Sequence, residues 1–311
     1  MKKQILYLLT FSLVLAFTAC QKDSGTKNTS NNDEVATHSD DQSRFSSEID
    51  AASNDADIAI ESSTSFTGRY QGTQDIMGII CDATVAVNTA SNPMTITITY
   101  DGTNCLGNRT RTGVIVLSTP QGTQWKNAGA AITVTFQNFK VTRLSDNKSI
   151  TINGAQTYTN VSGGLLINLA TLNSITHSIT SNGLTVTFDN GSQRSWQVAK
   201  QRVFTYNGGV VVTTTGTHSD GNNSNIAEWG TNRFGAAFTT SITSPLIIRQ
   251  DCNFRLTSGA VAHSTPVFNA DVTFGLNASG NPTSCPGSGN YYYKVRWINL
   301  AGDTVTVIRP Y

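Results

Sequence analysis

Four of the five cysteines, all except Cys20 near the N-terminus, are the residues of this chain best placed to form covalent cross-links. They form two pairs that are close in sequence, Cys81 with Cys105 and Cys252 with Cys285. In an exported protein an even number of cysteines indicates disulfides, and four cysteines allow three connectivities. The close pairs are favoured, because each would staple one hairpin-like unit. Buried free thiols are the alternative, whereas zinc usually requires a C-x₂₋₄-C spacing that this chain lacks.

The other polar residues match no short catalytic or cofactor motif. The chain contains no G-x-S-x-G, H-E-x-x-H, C-x-x-C, Walker or dinucleotide-binding pattern. Its histidines (His38, His177, His218 and His263) are scattered without metal-ligand spacing, and His177 is predicted to be a solvated strand residue. We therefore predict no catalytic residue, no metal and no cofactor. Carboxylates that converge in space for glycoside hydrolysis are the enzymatic alternative.

A polar segment over residues 217–238 is the longest stretch without clean alternation and is predicted to be a long loop. Asp220, Asn222, Ser224 and Glu228 place oxygen atoms at intervals that resemble a calcium loop. The segment lacks the Gly at the sixth position and the Glu at the twelfth. An ordinary turn-rich loop is therefore favoured.

Alternating aromatic residues near the C-terminus form a candidate ligand platform. Tyr291, Tyr293 and Trp297 share one face of a predicted strand, and such a row can stack on sugar rings. The alternative is that this face is core, since aromatic residues favour strands.

Two arginines, Arg109 and Arg111, share one face at the start of another predicted strand. They are either an anion-binding pair or, as is more common, a solvated edge that discourages aggregation.

Residues 1–19 are predicted to be a signal peptide, with two lysines followed by an apolar run too short to span a membrane comfortably. Its end, Phe17, Thr18, Ala19 and Cys20, resembles a bacterial lipobox, although Phe17 stands where Leu is commonest. The resemblance implies cleavage before Cys20 and lipidation of its thiol, palmitate included. Several acyl chains would anchor the protein stably to a membrane. The alternative is a plain signal peptide with a chance cysteine.

Two segments should link the anchor to the fold. Residues 20–42 are almost free of apolar side chains and are predicted to be the lipidated Cys20 and a flexible tether. Over residues 43–60 a spacing of four, three and four places Phe45, Ile49, Ala52 and Ala56 on one face, which predicts a short helix capped by Ser43. Continued linker is the alternative.

Residues 61–311 are predicted to be an all-β domain, with two half-domains meeting near 200–230 as an alternative. Apolar residues alternate with threonine in runs such as 94–100 and 132–136. Turn dipeptides separate many of the runs: Asp101-Gly102, Asn153-Gly154, Asn190-Gly191 and Asn207-Gly208. This pattern predicts an antiparallel β-sandwich of twisted meanders, or alternatively a small closed β-barrel.

Two loose motifs resemble a group of uncharacterised β-rich lipoproteins of the Bacteroidota type. One is a turn with Gly and Cys followed by an R-x-R-x-G strand start; the other is a G-T-N-R-x-G segment followed by Pro-Leu and a cysteine. The matching residues are Cys105, Arg109, Arg111, Gly113, Gly230, Thr231, Asn232, Arg233, Gly235, Pro245, Leu246 and Cys252. The resemblance implies placement outside the cytoplasm and β architecture, but no activity.

The composition and the predicted location in the cell envelope together favour a non-enzymatic role. Charged residues are 13% of the chain and the net charge is +1, which argues against binding nucleic acid through a basic face. We expect an outer-membrane lipoprotein of the cell envelope that binds a glycan or envelope protein, or is structural. The alternatives are an enzyme that degrades extracellular polymers and a small-ligand carrier barrel.

Overall fold

A computed structural model describes residues 26–68, 80–181, 183–285 and 289–311. Three helices are present in these ranges: α1 (Thr26–Ser62), α2 (Thr64–Thr67) and α3 (Leu169–Leu172). The strands are β1 (Ala83–Asn88), β2 (Met94–Thr103), β3 (Arg109–Thr119), β4 (Ala130–Arg143), β5 (Ser149–Asn160), β6 (Ser174–Ser181), β7 (Leu184–Phe188), β8 (Gln193–Tyr206), β9 (Val210–Gly216), β10 (Ile226–Thr231), β11 (Ala237–Arg249), β12 (Arg255–Ser264), β13 (Asn269–Leu276), β14 (Tyr292–Ile298) and β15 (Thr304–Pro310). The predicted signal peptide and Cys20 lie outside the described residues.

The predicted all-β, antiparallel class is confirmed, and it follows from the period-two pattern. In β2 the apolar Met94, Ile96, Ile98 and Tyr100 are buried, while the threonines between them are partly or fully exposed. Every strand pair in the described sheet is antiparallel. One alternating face per strand is what a half-buried antiparallel sheet requires.

All fifteen strands belong to one meandering sheet. Two positions in the sheet are each filled by a pair of short strands: β6 and β7 both lie between β5 and β8, and β9 and β10 both lie between β8 and β11. The described edges are β1 and β15. Strands β8 to β11, which span the predicted half-domain junction, are continuous with the rest of the sheet.

Helix α1 is the central element of the core. The predicted face of Phe45, Ile49, Ala52 and Ala56 is fully buried, which confirms the helical periodicity. Nearer the N-terminus of the helix, Val35 packs with residues of β10 to β14. The helix therefore contributes to the cores of both halves of the sheet. None of the described helices is both long enough and apolar enough to cross a membrane.

The helix begins at Thr26, so the predicted tether is wrong for residues 26–42 and Ser43 is not its N-cap. His38, Ser39, Asp41 and Gln42 are buried although they are polar. The prediction assumed that a polar segment cannot bury enough surface to order itself. It failed because strands distant in sequence supply cationic and polar partners for this segment.

Both predicted close cysteine pairs are present as disulfides. Cys81 joins Cys105 with a Cα–Cα distance of 5.3 Å, and Cys252 joins Cys285 with a Cα–Cα distance of 5.2 Å. The first bond ties the segment before β1 to the turn between β2 and β3. The second ties the turn after β11 to the segment before β14.

Candidate ligand-binding cleft

A set of ion pairs holds the acidic sides of helix α1 against the sheet. The helix supplies the carboxylates and the strands or their turns supply the cations. The pairs are Glu48 with Arg109, Asp55 with Arg111 (2.6 Å), Asp40 with Arg143 (2.9 Å), Asp41 with Arg233 (2.6 Å), Asp50 with Lys200 (3.5 Å) and Asp57 with Arg202 (3.5 Å). Because a lone buried charge is costly, these pairs explain how so polar a helix can be enclosed.

Arg111 is the centre of the most connected of these groups. Its guanidinium contacts Asp55 on the helix and Asp82 ahead of β1, and the Tyr100 hydroxyl donates to Asp55 over 2.8 Å. Burial raises the pKa of Asp55 despite the opposing effect of Arg111. Arg109 and Arg111 are therefore neither a solvated edge nor a free anion-binding pair, because both are already engaged by carboxylates.

Lys200 forms a second buried group. Its Nζ lies 2.8 Å from Oε1 of Glu228 and donates to the Ser46 hydroxyl at the same distance. The Trp196 indole and Gln42 amide donate to the other oxygen of Glu228. Burial lowers the pKa of Lys200, but the nearby carboxylates outweigh it and the pKa is raised.

The position of Glu228 also tests the predictions of a long loop and a calcium loop over residues 217–238. The segment contains β10, and Glu228 points into the core while Asp220 is exposed and accepts hydrogen bonds from its own turn. These two residues do not converge on a calcium site. The long-loop prediction is therefore wrong for Ile226–Thr231, a short strand that lacks regular alternation.

His177 is buried, so its predicted solvated position is wrong. Its ring packs between Trp125 and Phe204, and its Nδ1 lies 3.5 Å from Asp57. Burial, assisted by the neighbouring Arg202, lowers the pKa of His177 to about 3. Burial raises the pKa of Asp57 to about 7. The group is an internal polar contact of the core.

One stripe of helix α1 is left only half covered by the sheet. Ser47, Ala51, Asn54 and Ile58 are half-buried and follow the helical spacing of four, three and four. Two adjoining cavities, of about 540 and 560 Å³, lie along this stripe. Both are lined by Ser47, Glu48, Asn108, Arg109 and Tyr311. We call the two together the helix cleft, and each one a chamber.

The first chamber lies between the helix, the ends of β3 and β4, and the last residues of β15. Its apolar lining includes Val141, Leu144 and Ile150. Its charged lining consists of Asp40, Arg44, Glu48, Arg109, Arg143, Asp146 and Arg309. An apolar wall with a few convergent polar groups is the usual composition of a small-molecule site.

The second chamber lies between the helix, the turn that holds Cys105, and the turn between β11 and β12. Asn54 and Ile58 form its helical side, and Ile248 and Leu256 face them from the sheet. Gln250 also lines it and accepts a hydrogen bond from the backbone of Val210. The helix cleft thus runs from the end of β15 to the turn that follows β11.

The carboxylates along the helix cleft are engaged by arginines or, for Asp50, by Lys200. Asp40 is held by Arg143, and Glu48 by Arg109. General acid–base chemistry needs a carboxyl group positioned to exchange a proton with substrate. Carboxylates locked in ion pairs are better suited to shaping and charging a site.

The predicted aromatic platform is wrong, because Tyr291, Tyr293 and Trp297 are all buried. The alternative of a core face is the one observed. The Trp297 indole donates to Asn32 of the helix over 3.0 Å, and the Tyr291 ring stacks with that of Tyr311. Tyr293 differs from the others because its ring lines the first chamber and its hydroxyl has no hydrogen-bond partner.

One other group has the right atoms for a metal. Asp251, Cys252 and Cys285 bring their ligand atoms within 4.8 Å of one another. The two cysteines are joined to each other, so they lack the thiolates that would bind a metal.

Sequence reasoning missed Arg44 on the helix and three cations on the strands: Arg143, Lys200 and Arg309. One feature pointed to some of them. Cations recur at alternate positions in β3 and β8, as Arg109 and Arg111 and as Lys200 and Arg202, while acidic residues crowd the helix. A strand face with two cations, in a chain with an acidic helix, indicates a buried charged seam.

Comparisons with protein families, with curated proteins and with solved structures find no match for this chain.

Proposed function

We propose that this chain is a lipid-anchored protein of the cell envelope that binds a ligand in the helix cleft and catalyses no reaction. The observation that carries the proposal is the cleft itself, with its apolar walls and paired charges beside a half-covered stripe of α1. Ion pairs on the other sides of the helix fix the floor of the cleft. A preorganised site of this kind binds its ligand without the loss of conformational entropy that ordering a flexible site would require.

The same observations weigh against the two alternatives. A polymer-degrading enzyme needs a carboxyl group free to act on substrate, and those of the first chamber are held by arginines. A carrier barrel needs a closed strand order around an apolar cavity, whereas the described sheet runs from β1 to β15 without pairing these two strands and packs helix α1 into its core. The ligand site that we propose lies beside the helix.

The lipid anchor and the cellular location are inferred from the sequence alone. We propose that Cys20 is lipidated and that the domain is held at the outer membrane. Metabolic labelling with an alkyne fatty acid should mark the wild-type protein and not Cys20→Ala. Protease treatment of intact cells, followed by mass spectrometry, should remove the domain if it faces outward. Labelling of Cys20→Ala equal to wild type would refute the lipid anchor.

The binding role is tested by blocking the cleft. Ser47 lines both chambers, so Ser47→Trp should fill the site. Ser279→Trp, in the exposed turn after β13, is the matched control. Each protein is isolated from native membranes, and its bound small molecules are identified by native and extraction mass spectrometry. We expect a ligand with wild type and the control that is lost from Ser47→Trp. A ligand retained equally by all three would place binding elsewhere.

A further inference from the structure

We infer that the first chamber binds an amphipathic organic anion, with its acidic group on Arg44 and Tyr293 and its apolar body against Val141, Leu144 and Ile150. This inference rests on the proposed binding function and names the chemical class of the ligand.

Arg44 is a buried cation with unused hydrogen-bonding capacity. It is only 8% exposed, and Nη2 donates to the carbonyl of Lys148 over 2.8 Å. Nη1 is buried and has no partner, and no described carboxylate forms an ion pair with this guanidinium. A buried guanidinium nitrogen without a hydrogen-bond partner is costly, and an anion bound in the chamber would satisfy it.

Tyr293 supplies a second unused donor on the same chamber. It is 1% exposed, and its hydroxyl has no hydrogen-bond partner in the described structure. Burial raises the pKa of Tyr293, so the hydroxyl keeps its proton and can donate. A neutral donor and a guanidinium that line the same chamber are both suited to bind a carboxylate or phosphate group.

The charges around the chamber leave room for one negative charge. Arg143 contacts both Asp40 and Asp146, and Arg109 contacts Glu48. The whole charged lining consists of four arginines and three carboxylates, which gives it a net charge of +1. Arg309 is exposed at the mouth and forms no ion pair within the described residues.

Burial and the neighbouring Arg143 lower the pKa of Arg44 and outweigh Asp40, Asp41 and Asp146, which raise it; a bound anion would act in the same direction as these carboxylates. The electrostatics of the chamber thus agree with its geometry.

The size and walls of the chamber specify the rest of the ligand. A cavity of about 540 Å³ is far larger than an inorganic ion needs and lies within the range of small-molecule sites. Val141, Leu144 and Ile150 offer an apolar wall beside the charged end. The shared chemistry is one acidic group on an apolar body, which a fatty carboxylate and an alkyl phosphate both have.

Titration calorimetry with the full chain, stripped of co-purified ligand by unfolding and refolding, tests this inference. The probes are decanoate, decyl phosphate and neutral decanol, each below its aggregation concentration, at low and high salt. We expect one or both anions to bind more weakly at high salt, and decanol to bind at least tenfold more weakly than the better anion. The tighter anion identifies the preferred head group.

Tyr293→Phe is the decisive variant, because it removes only an unpartnered hydroxyl. Loss of one donor to a charged group should weaken binding of the preferred anion about tenfold. The urea midpoint without ligand should stay equal or rise, since no hydrogen bond of the unliganded protein is lost. Arg44→Gln should abolish measurable binding. Tyr292→Phe, on the other face of β14, is the matched control and should bind as wild type.

Two outcomes would overturn the inference while leaving the proposed function intact. Decanol binding as tightly as the anions would make the chamber merely apolar. Absence of binding by all three probes, while a ligand sensitive to Ser47→Trp still co-purifies, would assign the cleft to another chemistry. If no ligand sensitive to Ser47→Trp co-purifies either, the proposed function itself fails.

Discussion

Replacing Lys200 with methionine should expose the energetic role of the buried charges around helix α1. Methionine keeps the length and apolar stem of the side chain and removes only the ammonium group. The change leaves Glu228 with no cation in contact and removes the cation nearest to Asp50. Neither carboxylate can turn to water, because both are buried.

The expected loss is large. Removing one partner of a buried ion pair costs about 3–5 kcal/mol in the free energy of unfolding. Domains are stable by roughly 5–15 kcal/mol, so Lys200→Met should lose a substantial share of the total. The Trp196 and Gln42 donors to Glu228 remain and keep the loss towards the lower end of this range.

The loss should also depend on pH, with a definite sign. Without Lys200 these two buried carboxyls lack their cation, and burial without a cation disfavours the charged form of a carboxyl group. Such groups take up protons on folding, so their penalty grows as pH rises. For each carboxyl group that takes up a proton on folding, the penalty grows by at most about 1.4 kcal/mol per unit of rising pH. We expect a clearly larger loss at pH 8 than at pH 5.5.

Urea unfolding followed by tryptophan fluorescence, with the disulfides intact, measures this loss at both pH values. Lys140→Met, on an exposed position of β4, is the matched control and should change stability by no more than about 0.5 kcal/mol. Adding Glu228→Gln to Lys200→Met should recover part of the loss. A loss under about 1 kcal/mol, or one of equal size at both pH values, would refute the argument that these charges depend on each other.

Two further substitutions test the core and the sheet. Neither ring nitrogen of His38 has a partner, and burial lowers its pKa to about 4, so His38→Phe should stabilise the protein by about 1 kcal/mol at pH 7. The gain should widen by about 2 kcal/mol at pH 5 in urea unfolding, where histidine protonates only in the unfolded chain; a narrower gain would contradict this. At Gly113, with φ of +98°, an added Cβ would lie 2.2 Å from the carbonyl oxygen of Asn138. Gly113→Ala should therefore cost more than about 2 kcal/mol by the same assay, and distinctly more than Gly191→Ala, where nothing lies within 4 Å of the added atom. Equal losses at the two glycines would show that the contact with Asn138 is harmless.

Turn prediction shows where local chemistry stops being sufficient. Asn207-Gly208 forms the turn between β8 and β9 as predicted, but Asn153-Gly154 lies inside β5. There the Asn153 side chain accepts a hydrogen bond from the backbone of Asn138 on β4, and Gly154 has φ of +110° at an irregularity in the pairing. The same dipeptide serves a turn in one place and a bulge in another. Pairing with the neighbouring strand β4 is what makes Asn153-Gly154 a bulge and not a turn.

The candidate site was much less predictable than the fold. The apolar face of helix α1 and the alternation of the strands are local periodicities, so they can be recognised in the sequence. The partners of the acidic residues are not, because Asp41 meets Arg233 across 192 positions. Tyr293 was chosen from the sequence for an exposed aromatic row, but it lines the first chamber from a buried position.

The sequence by itself determined the antiparallel β class and the helical face of Phe45 and Ile49, and it favoured the cysteine pairing that is observed. Each depends on spacing along the chain, which fixes where neighbouring side chains point. Only the tertiary structure decided that residues 26–42 are helical, that the acidic residues of α1 are buried, and that a cleft remains beside Ser47. Those outcomes depend on which strands the sheet brings to each side of the helix, since a buried charge is stable only where a distant residue neutralises it.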